Sequence, residues 1–212
     1  MNILFVGAHP DDIEHSAGGL LCQLLKDEKH KVRYLIFSKC TNLERNEGIL
    51  AEIRRVEKYI TRRGGRVRAL DFPNRRLAEY SSIIRTELEW ERDSFHPDMV
   101  FTHWMGDVHQ DHKIVAEESL RVFRNSTILG YEVLRSCPQF TPNFFVALPA
   151  EAVEMKVELL AMYETQAKLY YNASEAIRSL AVVRGANIGR PFAEGYHLVR
   201  MITGENVCAL LL

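Results

Sequence analysis

The stretch Gly7-Ala8-His9-Pro10-Asp11-Asp12 places one imidazole and two carboxylates on a turn stiffened by proline. His9 and Asp12, three residues apart, can face a single cation while Asp11 points elsewhere. A competing reading is that this group caps the following helix, whose N-terminus favours acids. A second concentration occurs in Trp104-Met105-Gly106-Asp107-Val108-His109-Gln110-Asp111-His112. Two histidines and one carboxylate with open coordination positions make a catalytic, not a structural, site for zinc or a related divalent cation. Two such clusters in one chain are hard to explain by capping. Where a dinucleotide-binding protein would place a glycine-rich turn against a pyrophosphate, this chain places carboxylates, which repel phosphate.

The elements that must bring the two clusters together follow from the apolar pattern. Continuous or alternating apolar runs predict strands over 3–8, 32–38, 67–72, 99–103 and 127–133, with a shorter one over 144–148. Between them Ala17, Leu20, Leu21, Leu24 and Leu25, then Ile49, Ile53, Val56 and Ile60, recur with helical spacing. Further helices are expected around 83–88, from about Asp111 to Arg124, and over 153–161. Strand and helix in alternation predict an α/β fold, a Rossmann-like, doubly wound and mostly parallel sheet with helices on both faces. Residues 171–191 have weak periodicity and read as a lid, with 197–202 as a closing strand. Both chemical clusters then lie at carboxyl ends of strands one and four, where open α/β sheets form their functional crevice.

Composition bounds the partners. The 212 residues carry 27 Lys+Arg against 28 Asp+Glu, a formal net charge of −1, which leaves no basic footprint for nucleic acid. No apolar run is long enough to span a membrane, and the first residues read as a strand and not a signal peptide. Four widely spaced cysteines without a CxxC pair disfavour both a disulfide framework and a thiolate metal site. The expectation is a single domain over 1–212, reduced and cytoplasmic, acting on a small molecule.

The AHPDD stretch, with Glu14 and Gly18-Gly19 after it and HQDH at 109–112, resembles the PIG-L/LmbE-like superfamily of zinc-dependent N-acetylglucosaminyl deacetylases. Further matches are Glu52-Ile-Arg54-Arg-Val-Glu57, Phe72-Pro73-Asn74-Arg75, Tyr163-Glu-Thr-Gln166 and Phe192-Ala-Glu194-Gly195-Tyr196. The resemblance implies that His9, Asp12 and His112 bind Zn2+ or another divalent metal and that Asp11 is the general base. It further implies that a protonated His109, held by Asp111, faces the oxyanion. Arg54 is the candidate to hold a sugar hydroxyl or a charged substrate group. Asn74 and Val108 depart from relatives that carry Asp and Arg there, which points to a different aglycone.

The implied activity is metal-assisted removal of acetate from an N-acetylated amino sugar, whether a glycoside, a nucleotide sugar or a natural-product intermediate. The alternatives are a zinc amidase with another acyl or amine substrate and a non-catalytic metal- or carbohydrate-binding relative. Glu194 could approach the site from the C-terminal segment, Trp104 could stack on a sugar, and Tyr170 and Tyr171 could belong to the lid. The apolar run Val-Cys-Ala-Leu-Leu-Leu at 207–212 favours a homo-oligomer.

Overall fold

A computed structural model describes residues 1–27, 29–167 and 169–203. Its seven strands are β1 (Asn2–Gly7), β2 (Lys31–Ile36), β3 (Arg66–Ala69), β4 (Met99–His103), β5 (Thr127–Tyr131), β6 (Phe144–Ala147) and β7 (Ala193–Arg200). Six α-helices accompany them: α1 (Asp12–Leu24), α2 (Ile49–Thr61), α3 (Ser81–Phe95), α4 (Gln110–Val122), α5 (Ala150–Leu160) and α6 (Ser174–Ala186). All strands join one sheet in the order β3-β2-β1-β4-β5-β7-β6. The first five are parallel, and β7 runs antiparallel to both β5 and β6.

The doubly wound sheet expected from the sequence is therefore present. Central β1 is buried along nearly its whole length, as its unbroken apolar run requires. Side chains of α1, α2 and α5 cover one face with Leu21, Ile53 and Leu159, and α3 and α4 cover the other with Ile84, Leu88 and Val115. The chain winds outward from β1 through β2 to β3 and then returns to β4 on β1's other side. That reversal opens a crevice at the carboxyl ends of β1 and β4.

Three stretches differ from the sequence expectation. Helix α1 starts at Asp12, a turn and a half before its apolar stripe, because its first turns bury Asp12, Glu14, His15 and Ser16. It is also kinked at Ala17 (φ −128°). Gly18 and Gly19 follow because α5 and the turn leading into it press on them: a Cβ on Gly19 would lie 2.6 Å from Leu148 Cδ1, and one on Gly18 2.9 Å from Lys156 Cγ. Residues 171–191 are not a loop but contain α6, whose buried face is the thin stripe Ile177, Ala181 and Gly185. Val182 and Val183 stand exposed on it and blur the period. The closing strand begins at Ala193, earlier than expected, and is followed to Arg200. The 207–212 run lies outside the described residues. No helix among the described residues is long and apolar enough to cross a membrane.

Candidate metal and hydrolytic site

Loops from the carboxyl ends of β1 to β5 enclose a cavity of about 330 Å³, with Tyr171 from the C-terminal segment on its rim. The β1–α1 turn brings His9, Asp11 and Asp12 to its floor, and the first turn of α4 brings His112. Asp12 fixes its own turn by accepting the His9 backbone N–H at 2.7 Å. Two imidazole nitrogens and the Asp12 carboxylate converge there. His9 Nδ1 lies 3.2 Å from His112 Nε2 and 3.5 Å from Asp12 Oδ2, and His112 Nε2 lies 3.4 Å from Asp12 Oδ1. Ligands about 2.0–2.1 Å from a tetrahedral ion stand about 3.3–3.4 Å apart, so the spacing fits one zinc-sized cation.

The hydrogen bonds on the far side of each ring agree with that fit. His9 Nε2 bonds Asp111 Oδ2 at 2.9 Å and His112 Nδ1 bonds Asp107 Oδ2 at 2.7 Å. A proton on each of those nitrogens leaves the opposite lone pairs of both rings aimed at the same point. Asp107 is itself held by Ser136 Oγ (2.8 Å) and the His109 backbone N–H (2.8 Å). Asp111 accepts from the backbone N–H groups of Arg75 and Leu77. Two other donor sets overlap this one, His9–His109–His112 and Asp12–His103–His112. His103 Nε2 already accepts the Ala8 N–H at 3.0 Å, so its lone pair is committed.

Without a cation the cluster is electrostatically divided. Burial opposes charge on His112, but the carboxylates of Asp12 and Asp107 outweigh it and push its pKa up to about 10. Burial would raise Asp12, yet His112 and His103 hold it well below the usual carboxylate range. Asp11 is different. Burial, reinforced by the charge of Asp12, raises it to about 8 against a lowering hydrogen bond from Asn172 Nδ2 at 2.8 Å. Beneath it Glu14, fully buried between the hydroxyls of Tyr34 and Tyr163, is raised to about 7 by burial.

The structure thus brings His9, Asp11, Asp12, His109, Asp111 and His112 together, and it changes two expected relationships. The Asp111 carboxylate grips His9, not His109, because α4 turns it toward the β1 loop; only its backbone N–H meets His109 Nδ1, at 3.2 Å. The expected imidazolium at His109 is opposed by its surroundings, since burial and the neighbouring His112 and His9 lower its pKa to about 4. Arg54 is exposed on α2 and does not line the cavity, since the Ile49, Ile53, Val56 and Ile60 stripe turns it to solvent. Glu194 does not reach the cavity either. It is buried against α1. Trp104 packs against Phe140. Sequence reasoning passed over Asp107, legible as a carboxylate five residues before His112, and Asn172, which had no signal. Among the described residues, three of the four non-glycine positions with positive φ, Asp11, Cys40 and Arg75, line the cavity.

Residues 4–123 match the family model described as GlcNAc-PI de-N-acetylase, PIG-L. The chain belongs to the PIG-L family. No curated protein matches the sequence. Solved structures share the fold at low identity. N,N'-diacetylchitobiose deacetylase from Pyrococcus horikoshii superposes with a TM-score of 0.75 at 19% identity, covering 98% of this chain and 88% of its own. A zinc-inhibited form of the teicoplanin deacetylase Orf2 gives 0.75 at 13%, covering 92% and 97%. The 4-carboxy-2-hydroxymuconate hydratase of Pseudomonas putida gives 0.71 at 15%, covering 97% and 98%. One PIG-L-type fold thus carries more than one reaction, and the site must decide between them.

Proposed function

We propose that this PIG-L protein is a metal-dependent N-deacetylase that hydrolyses the acetamide of an amino sugar, with zinc as its metal. The observation that carries the reading is Asp11: a carboxylate beside the His9–Asp12–His112 donor set but outside it, on the cavity floor. Membership of a de-N-acetylase family and the shared fold of the chitobiose and teicoplanin deacetylases support it. A divalent ion in that donor set supplies Lewis acidity, lowering the pKa of water to about 7 and polarising a carbonyl.

The chain's own groups account for the proton movements. Asp11, oriented by Asn172, takes the proton of the attacking water as its oxygen bonds to the acetamide carbon. His109, whose Nδ1 accepts the Asp111 N–H, presents Nε2–H to the cavity as a neutral donor for the carbonyl oxygen as it becomes an oxyanion. Asp11 then returns its proton to the nitrogen as the C–N bond breaks, leaving acetate and an amine. The proposal takes residues 1–212 as one domain acting on a small molecule in the cytoplasm.

The test is acetate release from free N-acetylglucosamine, its uridine-diphosphate derivative and alkyl and thiol-pathway glycosides, with chelated protein and after zinc is restored. Zinc-dependent release from at least one is expected. A zinc-loaded protein that releases acetate from none would remove the sugar deacetylase assignment, and hydration of an unsaturated carboxylate would then be assayed in its place.

A further inference from the structure

Among the described residues that line the cavity, Arg75 and Arg135 are the only lysine or arginine side chains. Apart from carboxylates and imidazoles, the rest of the lining is amide, as at Asn74 and Gln110, hydroxyl, as at Ser136 and Tyr171, or apolar. A neutral sugar is recognised by such amides and needs no cation. We propose that the acetamido substrate bears an anionic group, a phosphate or a carboxylate, bound by Arg75 and Arg135, an assignment that rests on the deacetylase reading.

Neither guanidinium is neutralised among the described residues: Arg135 meets Tyr171, which is uncharged. Among the described residues neither forms an ion pair, whereas the adjacent Arg76 is engaged by both oxygens of Glu79. The site's own carboxylates do not need them as counterions, because each already has partners: Asp11 with Asn172, Asp12 and Asp107 with His112, and Asp111 with His9. Arg75 also occupies φ 68°, in the left-handed region that favours glycine, so a long side chain is kept where the backbone disfavours one. Its backbone N–H is tied to Asp111, the carboxylate that holds His9, which fixes the root of Arg75 relative to the metal donors. Arg135 stands on the turn that supplies Ser136 to Asp107, with its guanidinium 5.7 Å from the Tyr171 ring centroid. Two planar, permanently charged forks lining one cavity are groups suited to phosphate or carboxylate oxygens.

Titration calorimetry on zinc-incubated protein tests this without turnover. The probes are methyl N-acetyl-β-glucosaminide, N-acetylglucosamine 1-phosphate, N-acetylglucosamine 6-phosphate and a carboxymethyl N-acetylglucosaminide. At least one anionic probe is expected to bind tenfold or more tightly than the neutral one at low salt, as about 1.4 kcal/mol of charge-assisted bonding implies. That advantage should fall as salt rises. Whether a phosphate or the carboxylate leads identifies the group. In the R75Q/R135Q double variant the ratio should fall towards one. R75G should lose much of the ratio while its thermal midpoint stays level or rises, which separates recognition from folding. Equal binding of all four probes, no binding of any, or an advantage that survives in the double variant because the anion sits on the metal would overturn the proposal. Acetate release from the same four compounds keeps the two readings apart. Arginine-dependent binding without release refutes the reaction, and equal release from neutral and anionic probes refutes the anion site.

Discussion

Replacing Glu194 by alanine probes what holds α1, the helix that carries Asp12, in place. Glu194 lies on β7, 4% exposed, and accepts the Gly19 and Leu20 N–H groups at 2.8 and 3.0 Å, where the kink at Ala17 restarts α1. It also accepts from Tyr196 Oη at 2.8 Å and from Lys156 Nζ at 2.8 Å, and Lys156 reaches Ser16 O at 3.4 Å. At that separation the ion pair attracts by about 6 kcal/mol with an effective dielectric constant of about 20. Desolvation of the two ions cancels much of this, so the net worth of the intact pair is small. Removing one partner is another matter: a buried ammonium and two helix-starting N–H groups lose their acceptor, at about 3–5 kcal/mol. For a chain of this length that lowers the thermal midpoint by about 6 to 20 °C. Circular-dichroism melts and urea titrations of E194A read it directly, and K156M/E194Q should recover at least half of the loss. An E194A protein within about 1 kcal/mol of wild type would refute the account of α1 as clamped through its kink.

Other outcomes follow from the site. D11N should keep its zinc stoichiometry by elemental analysis while turnover falls by about 100-fold or more, since the general base is lost and the donor set is not; near wild-type turnover would remove Asp11 from the mechanism. D107N should weaken zinc about 10- to 100-fold in competition with a chromogenic chelator, through the His112 ring it orients; unchanged affinity would place another set around the metal. N172A should lower kcat and move the acidic limb of the pH–rate profile upward, because the hydrogen bond that lowers the Asp11 pKa is gone. An unmoved limb would confine Asn172 to a structural role. Metal-stripped protein should lose stability as pH rises from about 6.5 to 9. Asp11 (about 8) and Glu14 (about 7) hold protons in the fold above their unfolded pKa values, so their stabilising protonation is lost across this range. His112, raised to about 10, acts in the same direction. His15, His103 and His109, each lowered to about 4, oppose it only below about pH 6.5. A flat or rising midpoint in chelator would contradict these environments.

Most of the sheet was legible because buried parallel strands must be apolar throughout, as β1 and β5 are. The two chemical clusters were legible because strand ends position them and their residue types are chemically specific. What escaped was relational. That Asp111 serves His9 depends on how α4 meets the β1 loop, and the family resemblance implied His109 as its partner instead. Arg54 was misplaced because a charged residue next to a helical stripe does not reveal which side of the stripe it takes. Glu194 and Lys156 could not be paired from sequence, since a buried ion pair 38 residues apart looks like two solvated charges. Helix α6 hid because it packs on small side chains, which leave little periodic signal.

The left-handed residues around the cavity make part of the site visible to a measurement that uses no ligand. Random substitution in a well-packed chain mostly destabilises, yet glycine or asparagine at Asp11, and glycine at Arg75, should relieve torsion, and at Asp11 should also remove a buried carboxyl held out of water. A selection for heat resistance alone would therefore enrich changes at these lining positions and discard activity as it did so. In such a map of tolerated replacements, the gains would outline the rim and floor where substrate is handled.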